Sequence, residues 1–189
     1  MSQEKTVVYF EERGKGNTDE TLRLARARAD ALGIEHVVVA SYSGETGAKA
    51  SEAFKGRNVV VAAGVVGFRE PNTAALTEDN LARIEANGAK VFFAGHAFGM
   101  VGRAVREKFG AMQVEEVVAN VLRLFSAGVK VGCEIACMAV DAGLVPSGSE
   151  AIAIAGSAQG ADTAIVVRTS NTHRFFDTRV LEIICKPRG

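Results

Sequence analysis

The chain has 189 residues, 48% of them hydrophobic and 23% charged, with Lys+Arg and Asp+Glu at 22 each and a formal net charge of zero. That length builds one substantial core and is marginal for two. The balanced charge argues against a protein that coats nucleic acid or lies on a membrane through a polybasic patch, since both need a basic excess. Cys133, Cys137 and Cys185 form an odd set with no C-x-x-C pair, which suits a reducing compartment rather than a disulfide framework. Met1 to Lys5 carries no apolar signal region, and no apolar run approaches the roughly 20 residues that span a bilayer. The expectation is a cytoplasmic protein with neither nucleic-acid nor membrane partners.

Thr6 to Phe10 reads as a first strand. Asn17, followed three residues later by Glu20, matches a helix capping box. A helix then runs from Thr18 to Leu32, with Leu22, Ala25, Ala29 and Leu32 at helical spacing and Gly33 as its cap. Ile34 to Ala40 is a second strand. Ala48 to Phe54 is a short helix, Asn58 to Ala63 a third strand, and Gly64 to Phe68 a glycine-rich mouth. Thr77 caps a helix that ends at Asn87, and Lys90 to Ala94 is a fourth strand leading into Gly95 and His96.

Val101 to Phe109, Val114 to Phe125 and Val129 to Ala142 read as helices. The last is polar only at Lys130, Glu134 and Asp141, and so belongs inside the molecule or at a contact between subunits. A homo-oligomer is an open expectation on that ground. Glu134 calls for a cationic partner there. Glu150 to Ala155, Ala164 to Arg168 and Thr178 to Cys185 are closely spaced strands, which suggests an antiparallel ribbon closing one edge of the sheet. Strands alternating with helices, each strand ending in a glycine-bearing loop, predict one α/β domain over residues 1–189. It is a doubly wound, mostly parallel sheet with helices on both faces. Ligands of such sheets bind at the carboxyl ends of the strands.

The most informative stretch is Val37 to Ala50. Three valines suit a strand covered on both faces, and the polar turn Ser41 to Gly47 follows them into a helix. Two readings stand. The turn presents hydroxyls and helix-terminal N–H groups to a phosphate, or it is a plain strand-to-helix turn with a Ser or Thr cap. No dinucleotide fingerprint, P-loop or nucleophile elbow is present, and His36, His96 and His173 lack metal-ligand spacing. No metal site and no catalytic residue are assigned.

Several segments together resemble a known family. The Ser41-x-Ser43-Gly44-x-Thr46 turn is similar to the effector-phosphate loop of the pyruvate kinase C-terminal domain. Asn17-Thr18-x-Glu20-Thr21, Gly64-x-x-Gly67-Phe68, Gly95-His96-Ala97, Asp141 to Leu144, Ala155 to Ala164 and Phe175-Phe176-Asp177 resemble stand-alone proteins like that domain. The barrel that carries pyruvate kinase activity has no counterpart, so a kinase of that kind is not expected. The resemblance implies a bound flavin mononucleotide (FMN), and with it a flavin-dependent oxidoreductase of unknown substrate. The alternative is a non-catalytic sensor of a sugar phosphate or other phosphorylated metabolite. The resemblance assigns the phosphate to Ser41, Ser43, Gly44, Glu45, Thr46 and Gly47. Asn17, Thr18, Asp162 and Thr163 are assigned to the ribityl chain or ring edge, and Gly64, Gly67, Phe68, Gly95 and His96 to a slot for the ring. Glu45 is a departure: inside a phosphate loop it must point outward or pair with Lys49.

Overall fold

Val37, Val38 and Val39 are all fully buried, which requires cover on both sides of their strand. The computed structural model, which describes Ser2 and residues 4–189, supplies that cover. The part of the amino-terminal reading that rests on Met1 and Gln3 lies outside the described residues. In chain order the elements are β1 (Val8–Phe10), α1 (Thr18–Leu32), β2 (His36–Ala40), α2 (Glu45–Ala53), β3 (Asn58–Ala63), α3 (Glu78–Ala86) and β4 (Lys90–Phe93). Then come α4 (Met100–Phe109), α5 (Val114–Arg123), α6 (Ala127–Asp141), β5 (Glu150–Ala155), β6 (Thr163–Arg168) and β7 (Arg179–Pro187). Short 3₁₀ turns cover Lys15–Asn17 and Thr172–Asp177.

One seven-stranded sheet results, in the order β1-β7-β6-β5-β2-β3-β4. The pairings β1–β7, β5–β2, β2–β3 and β3–β4 are parallel, while β6 runs antiparallel to both its neighbours. The expected antiparallel strands are therefore present, but the true edge on that side is β1, which adds outside β7. After β2 the chain moves outward through β3 and β4, then returns to place β5 on the other flank of β2. The winding reverses between β2 and β5, and a crevice opens beyond their carboxyl ends.

The two faces have separate cores. Alternate residues Val37, Val39, Val59, Val61, Ile152 and Ile154 meet Leu22 and Ala25 of α1, Ala48 of α2 and Ile84 of α3. Val38, Val60, Ala151, Ala153 and Ile165 meet α6 through Cys133, Ile135, Ala136 and Met138. Period-two burial on both faces explains why these strands read as continuous apolar runs.

Helix α6 lies inside the protomer, against the sheet on one side and α5 on the other. Its apolar character is thereby accounted for within one chain. Glu134, buried at 3% exposure, pairs with Lys130 one turn earlier. All three cysteines are free and buried. Burial pushes the Cys133 thiol up to about 12 and the Cys185 thiol up to about 11. Among the described residues no group of three His, Cys, Asp or Glu side chains is placed to hold a metal ion, and no helix is long and apolar enough to cross a membrane.

Candidate functional site

The turn after β2 is shaped by Gly44, the residue that caps α2, at φ +92°. A Cβ there would come within 2.3 Å of Leu76 and 2.6 Å of Asn80, so both backbone angle and space demand glycine. With this start α2 begins at Glu45, one turn earlier than the apolar pattern suggests. The Ser41 hydroxyl accepts from the Gly47 N–H at 2.9 Å, and the Gly44 carbonyl accepts from Ala48 at 2.8 Å. The N–H groups of Gly44, Glu45 and Thr46 have no protein acceptor among the described residues. They are the free donors of a helix start, where the helix dipole is positive.

Glu45 and Thr46, two of the three donor residues, line a cavity of about 660 Å³ at the switch point. Ser41, Ser43, Glu45, Thr46, Phe68 and His96 line it, all expected from the resemblance. Sequence reasoning missed Tyr42, Arg69, Gln159 and Gly160, which line it too. Tyr42 lies within the quoted turn, and its ring packs so closely on Gly64 that a Cβ at Gly64 would stand 2.2 Å from it. Gly64 thus seats Tyr42. The Arg69 guanidinium lies 5.4 Å from the centre of the Tyr42 ring. Across the mouth Phe68 and His96 are tilted against one another, 5.6 Å between ring centres.

Glu45 pairs with Lys15 at 2.8 Å, not with Lys49, which is held by Asp19 at 2.7 Å. The Lys15 ammonium lowers the Glu45 pKa, with Lys49 and Arg83 adding at longer range. The Lys15 ammonium offsets the carboxylate beside the turn, which reduces its opposition to an anion there. His96 is half-buried. Burial pushes its imidazole below its ordinary pKa; Glu134 opposes this, and Lys130 and Arg103 reinforce it.

Several expected ligand residues stand behind the wall. Asp162 is fully buried, and its Oδ2 accepts from Gly14 N at 2.8 Å and Ser157 N at 3.1 Å. Its Oδ1 accepts from the Thr163 hydroxyl at 2.9 Å, so Thr163 is engaged as well. Thr18 Oγ1 accepts from Ala161 N at 3.0 Å and donates to the Lys15 carbonyl. Asn17 donates to the Glu12 carbonyl, and Gly67 turns the loop by donating to Thr73. Gly95 packs near Met100. These residues position the walls. Asp162 and Thr18 together hold residues 156–162 against the start of α1, so that Gln159 and Gly160 face the α2 terminus across the cavity.

No protein-family model matches the chain. Similar solved structures include pyruvate kinases. One from Cryptosporidium parvum superposes on 81% of this chain and 23% of its own, at 15% identity and a TM-score of 0.40. A second Cryptosporidium parvum pyruvate kinase structure covers 73% of this chain and 20% of its own, at 15% identity and 0.35. The same kind of enzyme in complex with ADP covers 81% and 24%, at 15% identity and 0.40. The chain spans about a quarter of the length of the pyruvate kinases it matches. The α/β assignment here rests on the strand order itself.

Proposed function

We propose that the protein binds a phosphorylated ligand at the switch-point cavity, with FMN as the ligand. The observation that carries this is the α2 start: unpartnered N–H groups and the Ser43 and Thr46 hydroxyls at one end of a cavity of about 660 Å³. That volume falls within the range of small-molecule and cofactor sites. The phosphate would take the N–H groups of Gly44, Glu45 and Thr46. Tyr42, Phe68 and His96 supply flat apolar surface for a ring, and Gln159 and Ser41 supply polar groups for the chain between. Bound flavin would bring hydride and electron transfer, chemistry that no side chain in the wall performs alone.

A second reading is a sensor that binds a sugar phosphate without chemistry. The hydroxyl-rich wall around Ser41, Ser43, Thr46 and Gln159 favours it, since a polyol phosphate would pair with the same groups.

The test is an absorbance and fluorescence titration with FMN of the wild type and of Ser43→Asp. Ser43 is exposed, so the variant keeps its fold and sets a carboxylate beside the phosphate position. We expect FMN binding in the wild type and about five- to thirtyfold weaker binding in Ser43→Asp, from like-charge repulsion of about 1–2 kcal/mol. Equal affinity in both would move the phosphate away from α2. Absence of FMN binding, with sugar phosphates bound instead, would establish the second reading.

A further inference from the structure

Behind His96 lies a smaller pocket of about 90 Å³, walled by the β4–α4 loop and by α4, α5 and α6. Its lining is almost wholly polar: Arg103, Arg106, Arg123 and Lys130, with Glu116 and Glu134. Each carboxylate is already satisfied. Glu116 pairs with Arg106 and accepts from Gln113 N, and Glu134 pairs with Lys130 and accepts from Phe98 N. Four cations against two carboxylates leave a surplus of two positive charges. The surplus belongs to Arg103 and Arg123, for which no carboxylate lies within ion-pair distance among the described residues.

Both arginines meet neutral groups. Arg123 donates to the Asn120 side chain at 2.9 Å, and Arg103 lies 5.1 Å from the centre of the Phe68 ring. A guanidinium engaged in this way keeps donors free in the fork geometry that oxyanions fit. The space holds about three waters, the room of one phosphate or carboxylate group. We propose that this pocket is a second anion site, taking a single oxyanion of phosphate size between Arg103 and Arg123. His96 lines both this pocket and the larger cavity, and Phe68 touches Arg103 on one side and His96 on the other. The site therefore reports its occupancy on the imidazole. A free oxyanion there would not depend on what fills the larger cavity.

The oxyanion has two possible sources, free phosphate or the far group of a ligand already in the larger cavity. The experiment follows the His96 ring signals by NMR during titration with inorganic phosphate and, separately, with propane-1,3-diol bisphosphate. The proteins are wild type, the Arg103→Gln/Arg123→Gln double variant and Ser43→Asp. Both arginines are exposed, so their replacement leaves the core intact. Phosphate in this pocket raises the His96 pKa. In the double variant the phosphate needed for that shift rises at least about tenfold, while in Ser43→Asp it is unchanged. A response to inorganic phosphate marks a free-anion site. A response to the bisphosphate alone, lost in the double variant, marks the second foot of one ligand. A His96 titration indifferent to both anions, or a response lost in Ser43→Asp and kept in the double variant, overturns the proposal. Failure of the FMN titration leaves this result standing.

Discussion

Asp162→Ala is expected to lose about 3–5 kcal/mol of stability, read as a fall in the urea midpoint. The carboxylate is fully buried and accepts from two backbone N–H groups and one hydroxyl. Alanine leaves all three donors without this acceptor, and a stranded buried donor costs about 1–3 kcal/mol. Asp162→Asn keeps one oxygen for Gly14 and Ser157 and turns an amide toward Thr163, so its loss should be only about 1–2 kcal/mol. The pair of variants also separates two roles. If Asp162 only fastens the 156–162 loop, folded Asp162→Asn binds FMN within about threefold of the wild type. A much larger loss of affinity at unchanged stability would make the side chain a ligand contact.

Glu134→Leu is expected to be as damaging, by about 3–5 kcal/mol, because it leaves a buried ammonium unpaired. Lys130 is only 7% exposed, and Glu134 accepts from both its side chain and the Phe98 N–H. The double variant Lys130→Met/Glu134→Leu should recover part of that loss, since an apolar pair of similar volume is commonly as stable as a buried ion pair, while the Phe98 N–H stays without its acceptor. Chemical melts of the single and double variants measure the coupling. The substitution has a second effect at a distance. Glu134 raises the His96 pKa, and its removal lets that pKa fall further, visible in an NMR titration of the imidazole. No fall would show that the pair does not reach the site.

Local signals in the sequence carried most of the fold. Leu22, Ala25 and Ala29 at helical spacing, with Gly33 at φ +66°, define α1 at the bounds expected, and Thr77 caps α3 by accepting from Asn80. The errors lie where local patterns compete. The Asn17 capping box does not form, because the 3₁₀ turn Lys15–Asn17 leads directly into α1 and leaves Asn17 in helical backbone. Glu20 pairs with Arg23 instead. The expected first strand shortens to Val8–Phe10, since only those residues find partners on β7. That pairing joins the two ends of the chain, and no local pattern announces it.

The cavity was legible in part for the same reason. The Ser41 to Gly47 turn is contiguous, so its chemistry is visible in one glance along the chain. Asp162 enters the expected site through the resemblance alone, and its burial and three hydrogen bonds are visible only in the fold. Arg69 stands in a polar excursion whose path no periodicity sets. It reaches the site through the face of Tyr42.

The buried thiols make the protein its own unfolding gauge. Cys133 and Cys137 lie on α6 and Cys185 on β7, and burial holds all three far from thiolate at neutral pH. Alkylation proceeds through the thiolate, so each sulfur reacts only while its own element is detached. Timed pulses of iodoacetamide read by mass spectrometry should leave the native protein unlabelled and add three groups in denaturant. Under mild denaturant, adducts at Cys133 and Cys137 that precede the adduct at Cys185 would show the helical layer peeling from the sheet before β7 detaches. Simultaneous labelling of all three would show both sides of the sheet opening in one cooperative step.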